Sequence, residues 1–256
     1  MKMRPFARLC AGAAVLGVVT TASLAAACGG GGGAAFDPKK ADDLAHLALI
    51  TSDELPGSGW TVTSQDKFED DDTKLADSAD TVACRAVDAK KTDEVKASQK
   101  ERAGRANIDF EAEPGPADMF PTSVQETVAI YNSSGATEKA ANLFKEIVSS
   151  REFSTCMGDV MKASVAQGAG SGIDVKTTSA KTSRTVPENG ASTAFQVEIS
   201  AQGETLSIKF EFYLWRYENA GITLSLAGET ANMNAKLAGP IIDAANSALK
   251  ATGKKK

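Results

Sequence analysis

Residues 193–226 read TAFQVEISAQGETLSIKFEFYLWRYENAGITLSL. Phe195, Val197 and Ile199 alternate with Gln196, Glu198 and Ser200, and Gln202-Gly203 then turns the chain. Leu206, Ile208, Phe210, Phe212 and Leu214 share one side of a long second strand. Asn219-Ala220-Gly221 leads into Ile222, Leu224 and Leu226. A period of two over three successive segments marks strands, and connections of hairpin length make them an antiparallel meander. On the opposite side of the long strand stand Tyr213, Trp215 and Tyr217. Aromatic groups with polar tips suit a groove for an envelope ligand or a lipid, which makes these three candidate ligand-facing residues. The competing expectation is that helices cover both faces of this strand.

Towards the N-terminus, Ala106, Ile108, Phe110 and Ala112 alternate with Asn107, Asp109 and Glu111, the pattern of a half-buried strand. Val124, Val128 and Ile130 give another, ending at Asn132-Ser133-Ser134-Gly135. Ala140, Leu143, Phe144, Ile147 and Val148 then fall on one helical face, and a shorter helix is expected at 159–166, after Cys156. Asp37 and Pro38 open a first helix, Leu55-Pro56-Gly57-Ser58-Gly59 ends it in a turn, and Trp60 to Thr63 reads as a strand. Residues 68–80 read as an acidic loop and 85–104 as a weakly periodic helix. One strand is expected near 173–178. A closing helix carries Leu237, Ile241, Ile242, Ala245 and Leu249, kinked or restarted at Pro240. Helices flanking an antiparallel sheet make the class α+β.

The first 27 residues have the layout of a cleaved secretion signal. Lys2, Arg4 and Arg8 precede an uncharged run from Leu9 to Ala27 that ends in small residues directly before Cys28. Removing it leaves roughly 230 residues, enough for one domain with its own core. Leu24-Ala25-Ala26-Ala27-Cys28 resembles the lipobox of bacterial lipoproteins, which implies acylation of the Cys28 thiol. Leu24 stands four residues before the cysteine, where the commoner pattern has it three before. Ala25-Ala26-Ala27 also suits an ordinary signal peptidase, leaving a secreted, unlipidated product as the alternative.

The cysteine count bears on this choice. Cys10 lies in the leader, so the mature chain keeps Cys28, Cys84 and Cys156. Acylation of Cys28 accounts for the odd thiol and leaves Cys84 and Cys156 to pair in an oxidising compartment, against two buried free thiols. Acyl chains at Cys28 would hold the protein at the bilayer, since each buried methylene contributes about 0.8 kcal/mol. Gly29 to Gly33 would form a flexible tether. The expected organisation is therefore 1–27 signal peptide, 28–36 lipidated tether, 37–250 extracellular domain and 251–256 basic tail. A formal net charge of −5 gives no reason to expect nucleic acid as a partner.

Catalytic signals are sparse. His46 is the only histidine, and no G-x-S-x-G accompanies it. Zinc sites need several His or Cys ligands, and none is expected here. Glu69-Asp70-Asp71-Asp72 lacks the offsets and glycine of a calcium loop, with Leu75 standing where the glycine belongs. No P-loop or dinucleotide fingerprint occurs, so no cofactor is expected.

Residues 124–131, the polar turn, the amphipathic helix and Cys156 resemble the extracellular sensor domain of PknH-type mycobacterial kinases and related actinobacterial lipoproteins. Leu55-Pro56-Gly57-Ser58-Gly59-Trp60 is similar to an opening common among actinobacterial lipoproteins. That family typically has two disulfides, where this domain can form one. The resemblance implies an α+β domain with a ligand cleft at the cell surface, and signalling only through a partner. The leading expectation is a non-enzymatic, sensor-like lipoprotein on the extracytoplasmic face of the cell membrane, binding a small molecule or an envelope component. The alternatives are a lipid or glycolipid carrier with an apolar cavity and an envelope hydrolase.

Overall fold

Side chains of a strand alternate between two faces, and β-strands with apolar groups on both have to be covered on both sides. The computed structural model describes residues 36–66, 75–90, 100–114, 120–169, 173–187, 190–201 and 203–253. The leader, Cys28, the glycine tether, Glu69 to Asp72 and Lys254 to Lys256 lie outside the described residues, as do positions 91–99 of the helix expected at 85–104. Helix α1 (Pro38–Leu47) is capped by Asp37, whose carboxylate accepts from the Lys40 N–H at 3.0 Å. A 3-10 turn (Ser52–Glu54) leads into β1 (Trp60–Gln65). Then follow α2 (Leu75–Ser78), α3 (Val82–Lys90), β2 (Arg102–Ala112), β3 (Ser123–Tyr131), α4 (Ser134–Val148), α5 (Arg151–Ala169) and β4 (Ile173–Ala180). The chain continues through β5 (Ala191–Ala201), β6 (Glu204–Tyr217), β7 (Ala220–Glu229) and α6 (Ala235–Gly253).

Among the described residues seven strands form one sheet in the order β1-β2-β3-β7-β6-β5-β4, every neighbouring pair antiparallel. The fold is α+β, as the alternation of periods two and 3.6 implies. Two meanders, β1 to β3 and β4 to β7, meet where β3 pairs with β7, a contact that no local turn announces.

On the first face, Phe195, Val197 and Ile199 of β5 and Leu206, Ile208, Phe210 and Phe212 of β6 pack beneath Phe153, Met157 and Val160 of α5. Phe153 meets Phe212 edge-on at 5.7 Å. Cys84 of α3 and Cys156 of α5 are fully buried there and joined in a disulfide. On the second face, Val124, Val128 and Ile130 of β3 and Ile222, Leu224 and Leu226 of β7 pack against α1 and α6. No helix among the described residues is long and apolar enough to cross a membrane.

Several elements differ from the sequence expectation. One helix, α5, runs through Cys156 where a shorter helix was expected after it, because Phe153, Cys156, Met157 and Val160 together form its buried stripe. Strand β2 starts at Arg102, inside the stretch read as helix. Leu75–Ser78 is helical within the stretch read as loop. Helix α6 continues through Pro240: the N–H that proline lacks would have bonded the Lys236 carbonyl, and both residues are on the exposed side of the helix, where solvent can substitute for the lost bond.

Close approach of α1 to β2 depends on Gly104. A Cβ there would stand 2.4 Å from the Ala41 carbonyl carbon, and a neighbouring bond from the Arg105 N–H to Asp42 Oδ1 (3.0 Å) pins the pair. Gly104→Ala is expected to lower stability by about 2 kcal/mol, the usual scale of overpacking against an unyielding neighbour. A urea titration unchanged from the parent protein would contradict this.

Candidate functional site

The first face changes character between β6 and β3. In register across the sheet run Asp109 (β2), Gln125 (β3), Ser225 (β7) and Phe212 (β6), and beside that row Asn107, Thr127, Thr223 and Leu214. Period-two alternation assigns the polar members to solvent, yet Asn107 and Ser225 are 1 % exposed and Gln125 and Thr127 are buried as well. They share a face with the phenylalanine core, whose Phe212 pairs with Ser225 on the adjacent strand, in the layer that α4 covers over β3, β7 and β6. The result is a floor of amides and hydroxyls bordered by Phe212 and Leu214.

Burial makes an unmet hydroxyl costly, on the order of 1–3 kcal/mol. Thr127 Oγ1 and Ser225 Oγ have no hydrogen-bond partner among the described residues. The two lie diagonally on adjacent strands and the same face. A floor of this kind offers amide and hydroxyl donors and acceptors, with the Asp109 carboxylate at one end and an aromatic border at the other, the chemistry that orients a polar ligand.

The aromatic residues singled out in β6 occupy the second face. Tyr213 and Trp215 are 0 % and 1 % exposed, within the core that α1 and α6 cover, and Tyr217 packs against its margin. Among the described residues, α1 and α6 cover this side of β6 over Tyr213 and Trp215. The Tyr213 hydroxyl donates to Glu211 Oε2 at 2.6 Å. Burial first, and the adjacent carboxylate second, push its pKa upward and keep the phenol protonated.

Glu211 belongs to a cluster that sequence reading missed. The Ser183 N–H and hydroxyl both donate to Glu211 Oε1, at 2.8 and 2.6 Å, and Lys209 Nζ donates to Ser183 Oγ at 3.0 Å. Lys209 also pairs with Glu211 at 2.5 Å. A serine flanked by a lysine invites comparison with a nucleophile and its base. Here the carboxylate of Glu211 contacts both the lysine and the serine, so the three side chains form one closed cluster. The cluster ties the segment after β4 to β6, and Arg184, gripping Asp243 through one nitrogen at 2.8 and 2.9 Å, ties it to α6.

A second missed residue is Glu126 of β3. It shares the apolar side of the strand with Val124, Val128 and Ile130, and that break in alternation was legible in the sequence. It is 0 % exposed; Oε2 accepts from the Ile50 N–H at 2.7 Å and Oε1 has no partner among the described residues. Desolvation, only partly offset by that bond, raises its pKa to about 8, with a smaller push from Glu54.

His46 is partly exposed. Its Nε2 lies 2.8 Å from Asp66 Oδ2 and its Nδ1 2.8 Å from the Asp42 carbonyl. The Asp66 bond, then the Asp42 bond, raise its pKa above 6.5. The small stabilisation this brings is present in full below pH 6.5 and fades as pH rises through the folded pKa. An NMR titration should place the His46 midpoint above 6.5, and Asp66→Asn should move it back towards that value. Equal midpoints in the two proteins would contradict the pairing. Among the described residues no three His, Cys, Asp or Glu side chains gather as a metal site.

The chain matches no protein-family model and no curated protein. Among solved structures it is similar to the extracellular domain of PknH from Mycobacterium tuberculosis, with a TM-score of 0.47 and 9 % identity over 84 % of this chain and 97 % of that one. The likeness is weak and of fold level only, and no residue, ligand or partner crosses with it.

Proposed function

We propose that this chain is a non-enzymatic, sensor-like binding domain on the outer face of the cytoplasmic membrane, held there by acylated Cys28 and binding a polar ligand on the first-face floor. The observation that carries the binding half is the pair of buried, unpartnered hydroxyls of Thr127 and Ser225 among neutral amides. Folded domains generally satisfy such groups, so two neighbours left unmet suit a ligand that presents hydroxyl or carbonyl groups to them. The Cys84–Cys156 bond supports export, because disulfides persist in oxidising compartments. The basic, apolar, small-residue order before Cys28 supports the anchor. The tether would join the domain beside the β3–α4 turn, where the Phe36 N–H donates to Asn132 Oδ1 at 3.3 Å.

Intact mass of the membrane-extracted protein tests the anchor: the mature chain should begin at a diacylglyceryl-modified Cys28, and an unmodified start would end that half of the reading. Native mass spectrometry of the same sample tests the floor. Wild type should carry a noncovalent adduct that the Thr127→Val/Ser225→Ala double variant loses while its melting temperature stays equal or rises. An adduct retained by the variant, or none in wild type together with no thermal shift from envelope extracts, would end the binding half.

A further inference from the structure

Helix α5 carries two stripes. Phe153, Cys156, Met157 and Val160 are buried against the sheet, while Arg151, Thr155, Asp159 and Lys162 run along the flank that overhangs β4. β4 is the last strand of the sheet, three strands from the β7 part of the floor described above. Between helix and strand lies an open pocket of about 360 Å³. That volume is at the lower end for small-molecule sites. Gly158 brings the helix down onto the strand there, since a Cβ at that position would stand 2.2 Å from Thr177 Oγ1.

The lining is chemically lopsided. Thr177 and Ser179 of β4 and Ser154 and Thr155 of α5 contribute hydroxyls, and the lining has no aromatic side chain. A base or aryl group would therefore find no stacking platform. Cations exceed anions by Arg151 and Lys162 against Asp159. None of the three has an ion-pair partner among the described residues. Asp159 and Lys162 are one turn apart at one end, where together they can accept from and donate to hydroxyls. Arg151 lies about 12 Å from Asp159 along the helix, within a turn of Ser154 and Thr155, where its planar fork suits a carboxylate or phosphate oxygen pair.

We propose that this pocket is a second binding site, for an acidic sugar of about monosaccharide size, with Arg151 holding the acid group and the hydroxyls of Ser154, Thr155 and β4 beside it holding the ring. Such chemistry occurs both in free uronic acids and in the headgroup of an inositol phospholipid. The test is a ¹⁵N-resolved NMR titration of the folded domain with glucuronate, glucose and acetate, and with phosphatidylcholine vesicles with and without phosphatidylinositol. Glucuronate should shift amides of α5 and β4 saturably and more tightly than glucose or acetate. Arg151→Gln, an exposed substitution whose folding the same spectrum verifies, should weaken it by about tenfold, the usual scale for losing a charge-assisted bidentate contact. Arg151-dependent binding only to phosphatidylinositol vesicles would assign the lipid headgroup as source and uphold the site. No saturable shift with either ligand, shifts confined to other elements, or equal binding by Arg151→Gln would overturn it. These outcomes are separable from the floor, whose Thr127 and Ser225 lie on other strands.

Discussion

The Cys84→Ala/Cys156→Ala double variant is expected to lose about 4 kcal/mol of unfolding free energy relative to the oxidised protein. The two cysteines are 72 residues apart in sequence, so the bond removes much of the loop-closure entropy of the unfolded chain, and the chain-entropy model gives that magnitude. It also joins α3 to α5, the helix whose Phe153 packs on Phe195 and Phe212 of β5 and β6. Urea titrations of the variant and of the oxidised protein measure the difference. Because both sulfurs are fully buried, a reductant added to native protein should act slowly and one added in denaturant at once. A difference below about 1 kcal/mol would show that the bond contributes little and that α3 is held by packing alone.

Glu126→Gln should change how stability depends on pH. Folded, the carboxyl keeps its proton up to about pH 8; unfolded, it releases it near 4.5. Below pH 4.5 both states are protonated and the group costs nothing through titration. Between 4.5 and about 8 only the unfolded state ionises, so wild-type stability falls by about 1.4 kcal/mol per pH unit, and above about 8 the loss is complete at roughly 5 kcal/mol. Glutamine does not titrate and can still accept from the Ile50 N–H, although its amide hydrogens enter a site with no acceptor, a constant cost of order 1–3 kcal/mol. The difference between variant and wild type, from urea titrations at several pH values, should therefore grow steadily in the variant's favour from pH 5 to about 8. Parallel stability curves would mean that the Glu126 carboxyl titrates normally, against its burial.

Much of the fold was legible residue by residue. Alternation located β3, β5, β6 and β7, the run from Ala140 to Val148 located α4, and the odd cysteine pointed to the Cys84–Cys156 pair. The candidate site was not legible in the same way. Asn107, Gln125, Thr127 and Ser225 sit where a half-buried strand shows its solvent side, and only the roofing of that side turns them inward. Ser183, Lys209 and Glu211 are separated by up to 28 residues and look like ordinary surface groups in sequence. Glu126 did leave a trace, a carboxylate in a run of valine and isoleucine, and such a trace records a cost without naming its purpose.

Short-range patterning of apolar and polar side chains was enough to specify the strands, the helices and the α+β class, because those periods follow from backbone geometry within a few residues. The joining of two meanders through β3 and β7, the burial of Tyr213 and Trp215 under helices and the inward turn of the polar floor came only with the assembled molecule. Each depends on which distant segment covers a given face, and that is set by the summed burial of surfaces far apart in the chain.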